Sequence, residues 1–445
     1  MLPVANRPAG LALALTVAAV GACVDQPNPT EPPRGLRPHL AAGDLIVVTN
    51  TNGGNLSGSL RAAINQTTGG EVIRFDPSLA GAKITLDTTL DIPNQVTIEG
   101  PADKGIVIGG NGTFLILKVS HGATLVNLTI TDGKANRDDV VGGILSTGPL
   151  ILEHSTVSGN EGSFVAGIRG DKITLINSTV ANNTAAGGDS NAGINYDGNG
   201  ELTLINSTVA RNIGNGIGPF FDSSLPTGKI TLRNSIIANN GAQNCVRGTL
   251  GFVYEGKSIS DDDTCGTGVF VMLIADPLLG TLADNGGPTR TLALDRNSPA
   301  INATDCDLAV DQRYVPRDAR CDIGAFEFEF TTVALTIDPG AHVDRSTGSA
   351  VITGTIECSR AEQFDLIVDL KQDQKVKQFP TVTQATKTIS IACETTAQPW
   401  VALLVPPNGD VFVNGDAQAS VQTANQNGIT PSATSRAVKL SLSRK

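Results

Sequence analysis

The segments LVNLTITDG (residues 125–133), LEHSTVSGN (152–160), LINSTVANN (175–183), LINSTVARN (204–212) and LRNSIIANN (232–240) are copies of one repeat. Asn127, His154, Asn177, Asn206 and Asn234 share one column, with steps of 27, 23, 29 and 28 residues. Gly143-Ile144, Gly167-Ile168, Gly193-Ile194 and Gly216-Ile217 form a second column, so each repeat holds at least two short strands. A repeat of this length, with short strands and no helical stretch between them, is the pattern of a parallel β-solenoid, one coil per repeat. In KITLINSTV (172–180) the alternation puts Ile173 and Leu175 on one side of a strand and Lys172 and Thr174 on the other, and stacked coils bury the apolar side. Coils lie about 4.8 Å apart, so a repeated Asn falls above its copy and is expected to hydrogen-bond along the stack. The column from Asn127 to Asn234 is therefore expected to be a structural ladder, with His154 as its buried histidine member.

Outward from the repeats, VTIEG, IVIGG, FLILKV and ATLVNLTI carry the short-strand rhythm back to about Glu71. Before it, SGSLRAAINQTTGG offers Ser57 or Ser59 as an N-cap, Leu60 and Ile64 on one helix face and Gly69-Gly70 as a stop, which predicts a short helix plugging the solenoid's open end. After about Thr331 the Asn-rich texture ends. VALTIDPG, SAVITGTIEC, FDLIVDLKQ, TKTISIACE, WVALLVP and DVFVNGDAQASVQT read as strands of a sandwich.

The whole chain has 445 residues, 49 of them Gly, with 4% aromatic and 17% charged residues and a net charge of -11. That balance leaves no basic footprint for nucleic acid. Scarce aromatics and abundant Gly disfavour aromatic-lined sugar clefts and helical bundles. His39, His121, His154 and His342 are too scattered for a metal site, and no phosphate loop or cofactor motif is present, so no cofactor or metal is expected.

The N-terminus supplies an address. Residues 1–22 hold Arg7, an apolar run from Leu11 to Val20 and small residues before Cys23, the form of a secretory signal. The run is about ten residues, short of the ~20 that cross a bilayer. Val20-Gly21-Ala22-Cys23 resembles the lipobox of bacterial lipoproteins, which implies an acylated Cys23 and a membrane partner held through an N-terminal lipid. Residues 23–43 are proline-rich and read as a tether. Val24 rather than Asp after the cysteine implies, by the same resemblance, export to the outer membrane or cell surface. Six cysteines remain, and least loop-closure entropy pairs them locally: Cys245 with Cys265, Cys306 with Cys321 and Cys358 with Cys393.

GSLRAAI (58–64), followed by IRFDPSLAG, resembles the CSLREA-type N-terminal region of exported right-handed parallel β-helix proteins, with Gly58 and Ala62 in place of Cys and Glu. The stretch from Ala275 to Phe328 resembles the choice-of-anchor Q domain through Asp284-Asn285-Gly286-Gly287-Pro288-Thr289, Ser298-Pro299-Ala300-Ile301, Asp311-Gln312-Arg313 and Asp322-Ile323-Gly324-Ala325-Phe326-Glu327. The resemblance implies surface display and names no reaction. Physically, Asp311, Arg313, Asp322 and Glu327 are expected to form a buried network closing the last coils. The tail from 331 weakly resembles immunoglobulin-like modules.

The expected architecture is all-β: a right-handed parallel β-helix over 44–329 with an N-terminal cap at about 44–70, then an immunoglobulin-like β-sandwich over 331–445. The expected role is a non-catalytic surface lipoprotein that meets an extracellular glycan or an envelope protein. The competing reading is a polysaccharide lyase or glycoside hydrolase, since parallel β-helices also carry such sites. Those chemistries need paired carboxylates, or a basic residue beside calcium-holding acids. The candidates are Asp138-Asp139, Arg169 with Asp171, and Asp261-Asp262-Asp263, each read more simply as a solvated turn.

Overall fold

The computed structural model describes residues 44–135, 140–187, 190–219, 228–246, 251–266, 272–376, 378–424 and 428–442. The signal and tether, Cys23, Asp138 and Asp139 lie outside them.

Parallel strands stack into three faces. The first face runs through Leu45–Val48, Glu71–Phe75, Val96–Glu99, Ala123–Val126 and Leu150–Glu153, then the later parts of Ile168–Ile176 and Asn191–Ile205, then Lys229–Arg233 and Gly251–Glu255. The second face is a nine-stranded sheet from Lys83–Thr85 to Met272–Ile274. The third face includes Leu90–Ile92, Leu117–Val119, Ile144–Ser146 and the early parts of Ile168–Ile176 and Asn191–Ile205. In those last two strands the chain passes from third to first face without a break, across an irregularity at Gly170/Lys172.

Strand alternation builds the core. Ile173 and Leu175 are fully buried, with Leu150, Leu152, Leu202 and Leu204 in register on neighbouring coils, while Lys172 is exposed and Thr174 half-buried. The first coil begins at Leu45 rather than at Glu71, because Leu45–Val48 pairs in parallel with Glu71–Phe75. As an edge strand it has a neighbour on one side only. Most of its residues stay exposed or half-buried although all four are apolar, so it lacks the apolar/polar alternation that marks the inner coils. The predicted helix is Leu60–Ile64, capped by Ser59, whose Oγ accepts from the Ala62 N–H at 3.2 Å. Leu60 and Ile64 are buried in the solenoid core, so the helix does plug this end. At the far end the Cys245–Cys265 disulfide is itself core, both residues being fully buried.

After the last coil the chain turns back. We call residues 275–328 the arm. It begins with an antiparallel pair, Leu279–Ala283 with Thr291–Leu294, and lays Leu279, Leu292, Leu294, Ala300, Ile323, Phe326 and Phe328 on Ala181, Ala210, Ile236, Ala238 and Ile259 of the second face. Second-face strands such as Thr179–Ala181 and Thr208–Ala210 are therefore buried on both sides. The arm does not close the last coils, as the sequence suggested. It runs along the flank of most of them, from Gly105, where an added Cβ would lie 2.3 Å from the Pro288 carbonyl oxygen, to Lys257, whose N–H donates to Thr304. The small and aliphatic outward residues of the second face make room for it.

The C-terminal region is an eight-stranded sheet from Val333–Leu335 to Ala433–Leu442, antiparallel except where Gly340–Val343 meets Ala433–Leu442. It has its own core around Trp400, whose indole N–H donates to the Thr336 and Thr355 carbonyls, both at 3.2 Å. Asp410 to Asn414, expected to begin a strand, lie outside one. The Cys358–Cys393 disulfide joins Ala350–Cys358 to Phe379–Cys393 within this sheet, and Cys306–Cys321 lies within the arm.

Candidate functional site

The feature that gathers the chain's recurring polar residues is the corner between the first and second faces, where the arm lies. Asn127, His154, Asn177, Asn206 and Asn234 turn that corner with φ of 57, 49, 44, 46 and 48°. This left-handed conformation is costly for most L-residues and most accessible to Gly, Asn and Asp. Backbone geometry is therefore the first reason for the Asn column. The five side chains do not bond to one another along the stack; four reach the arm. Asn127 Oδ1 accepts from the Tyr314 hydroxyl at 2.8 Å, and Asn177 donates to the Val310 carbonyl at 3.0 Å while accepting from Arg317 at 3.1 Å. Asn234 donates to Asp307 at 2.7 Å and accepts from Thr304 at 2.6 Å. His154 stacks on Tyr314 with ring centroids 4.1 Å apart, its Nδ1 lying 3.1 Å from the Gln312 carbonyl oxygen. The fifth, Asn206, is fully buried and neither its amide nitrogen nor its amide oxygen has a partner.

Two true ladders stand elsewhere. Asn160 donates to Asn183 at 3.0 Å, Asn183 to Asn212 at 3.0 Å, Asn212 to Asn240 at 2.9 Å and Asn240 to Asn244 at 3.0 Å. A serine ladder runs beside the corner: the N–H of Ser155 donates to Ser178 Oγ, Ser178 to Ser207, Ser207 to Ser235 and Ser235 to Ser258. Both columns are in the repeats, the Asn ladder as the last letter of four of the five segments. Their register was visible, whereas their partners required the rung-to-rung offset.

Five of the arm's charged residues, Asp311, Arg313, Arg317, Asp322 and Glu327, form a buried network. Asp311 accepts from the N–H groups of Arg313, Val315 and Glu327 and from the Arg313 guanidinium. Arg313 lies 3.8 Å above the Phe326 ring. Arg317 pairs with Glu327 at 2.8 Å, with both side chains almost wholly buried. Asp322 accepts from the N–H groups of Asn302 and Phe328. Burial, then the charge of Glu327, pushes the Asp322 carboxyl up to about 7. Burial also raises Glu327 and outweighs the attraction of Arg317. Burial pushes the His154 imidazole down to about 4, so it is neutral at physiological pH. Every carboxylate here holds backbone N–H groups, which makes the cluster a clasp between arm and corner.

The other sequence candidates are not brought together. Arg169 faces Asp197 at 3.2 Å, one coil on, and Asp171 lies exposed at the passage from third to first face. Asp261 accepts from Asn239 and Asn244, and Asp262 from Asn244 and Thr264. Burial of Asp262 is outweighed by those bonds, which hold its carboxyl below the usual range. Asp261 and Asp262 thus end the Asn ladder. Among the described residues no group of three or more His, Cys, Asp or Glu is placed to hold a metal, and no helix is long and apolar enough to cross a membrane.

Sequence reasoning did not single out a polar cleft of about 530 Å³ where the arm meets the last coils, lined by Arg233, Asn234, Lys257, Asp305, Asp307 and Arg320 among others.

No family model matches the chain. Outer membrane protein B of Rickettsia japonica is 29% identical over 153 residues, 34% of this chain. The match spans 9% of that protein's own length.

Proposed function

We propose that this protein is a non-catalytic cell-surface scaffold, lipid-anchored through Cys23, that presents its solenoid and C-terminal sheet to an extracellular glycan or an envelope protein. The observation that carries the reading is the arm. It covers much of the second face and commits the acids and bases of its own motifs, Asp311, Arg313, Arg317, Asp322 and Glu327, to each other and to backbone groups. A lyase or hydrolase requires such groups converging on open space. Similarity to an outer membrane protein supports a surface location, and the lipobox-like Val20-Gly21-Ala22-Cys23 supplies the means of attachment. The choice-of-anchor Q and CSLREA-like resemblances belong to the same reading: their motif residues form the clasp and the N-terminal plug rather than a cleft.

Membrane fractionation with labelled palmitate tests it. The wild type is expected to take up label and sediment with membranes, and Cys23→Ser to take up none and be released. Sedimentation of the variant together with an unlabelled wild type refutes the anchor. Cleavage of an acidic glycan by the purified wild type, abolished by Asp138→Ala, Asp139→Ala, Arg169→Ala and Asp171→Ala combined, refutes the non-catalytic role.

A further inference from the structure

We infer that the cleft between the arm and the last coils is a binding site for a hexuronate unit of an acidic polysaccharide. Its walls are fixed from below. Asn234 receives Thr304 Oγ1 and the Lys257 N–H on one amide atom and donates to Asp307 and the Asp305 carbonyl with the other. The Cys306–Cys321 disulfide ties the loop bearing Asp305 and Asp307 to the segment at Arg320, where Cys321 also bridges to Thr304. A site held this way loses little entropy when a ligand arrives.

The charges in the cleft are only partly used. Arg233 pairs with Asp307 at 3.1 Å and lies 3.6 Å from Glu255. Lys257 and Arg320 are exposed, and among the described residues neither has a carboxylate within ion-pair distance; the Arg320 Nε donates to the Asn302 carbonyl, which leaves the outer guanidinium edge open. Asp305 likewise has no ion pair among the described residues. Two open cations can hold one carboxylate, the guanidinium in bidentate fashion, and an unpaired Asp accepts from hydroxyls. The lining has no aromatic ring and no large aliphatic side chain to hold a bulky apolar group. Two acids at the rim disfavour a small dianion such as phosphate by like-charge repulsion. One carboxylate beside several hydroxyls is the composition of a uronic acid, and a cleft of about 530 Å³ falls in the range of small-molecule sites.

This deepens the surface-scaffold reading by naming the glycan class, yet its test needs only purified protein and is independent of anchoring. Trigalacturonate, maltotriose and inorganic phosphate are titrated into the wild type, Lys257→Ala/Arg320→Ala and Lys257→Glu, with binding followed calorimetrically. The expected result is binding of trigalacturonate that weakens at least tenfold in the double variant, is lost with Lys257→Glu and declines with added salt, and no binding of maltotriose. Absence of trigalacturonate binding, equal binding by the variants, or equal binding of maltotriose or phosphate overturns the inference. None of those outcomes bears on Cys23 or membrane release. Lys257 and Arg320 are exposed, so unchanged thermal midpoints are expected and are measured alongside.

Discussion

The buried Asn residues of the five repeat segments do one of three jobs, and only one of them is a ladder. Asn212 sits in a complete chain, donating to Asn240 and the Val180 carbonyl and accepting from the side chain and N–H of Asn183. Its replacement strands several buried groups at once, so Asn212→Ala is expected to cost about 3 kcal/mol. Asn177 and Asn234 turn a corner and hold the arm. Asn206 only turns a corner: its φ is 46°, and its amide has no partner to lose. Glycine adopts that φ without strain and removes two unsatisfied buried atoms, so Asn206→Gly is expected to stay within about 1 kcal/mol of the wild type. Chemical denaturation of both variants checks the contrast, and similar losses would return Asn206 to a bonded role. The column itself was legible in the repeats. The reason for it was not, because a spacing records where residues recur and says nothing of whether the backbone or the side chain requires them.

At the scale of the element, the arm is held by groups whose protonation differs between folded and unfolded chain, and they act in opposite directions. His154 falls from an ordinary 6.5 to about 4 through burial. The unfolded chain therefore takes up a proton first, and stability from this group is present above 6.5 and lost as pH falls towards 4. Asp322 rises from 3.8 to about 7, chiefly through burial. Its contribution is full below 3.8 and lost as pH rises through 7, and Glu327, also raised by burial, adds to that side. The His154 shift is worth about 3 kcal/mol and the Asp322 shift about 4 kcal/mol. His154→Asn suits the corner and removes one opponent, so its thermal midpoint is expected to fall more steeply than the wild type's between pH 4 and 7. Asp322→Asn removes the other and is expected to tilt the profile the opposite way, towards loss on acidification. Parallel profiles for all three proteins would separate these residues from the pH response. The disulfide in the arm makes a further test: opening Cys306–Cys321, 15 residues apart, by Cys306→Ser with Cys321→Ser is expected to cost about 3 kcal/mol in the chain-entropy picture. Calorimetry reads it, and an unchanged midpoint would mean that the arm is already ordered by its corner contacts.

Across the whole molecule, the parts that were legible are those built by local repetition. KITLINSTV announces a strand with one buried side, and SGSLRAAI announces a capped helix; both stand where the pattern puts them. What eluded the sequence is long-range. Tyr314 reaches Asn127 across 187 residues, and Gln312 reaches Thr156 across 156. Nothing in a turn-rich stretch of Asp, Asn, Gly and Pro says which coils it will meet. The outward residues of the second face carried the available hint, since Ala181, Ala210, Ile236 and Ala238 are poor choices for a surface left in water. That hint leads to a prediction at this scale. The solenoid core and the C-terminal core are separate clusters, whereas the arm shares a cluster with the second face. A chain ended after Phe330 keeps the arm and is expected to remain soluble and to unfold in one cooperative transition. A chain ended after Ile274 exposes the second face and leaves the corner amides of Asn127, Asn177 and Asn234 without their partners on the arm, and it is expected to aggregate and bind a hydrophobic dye. If the shorter chain stays soluble, silent to dye and equally resistant to heat, the arm is an ornament on a self-sufficient solenoid rather than the second wall of its structure.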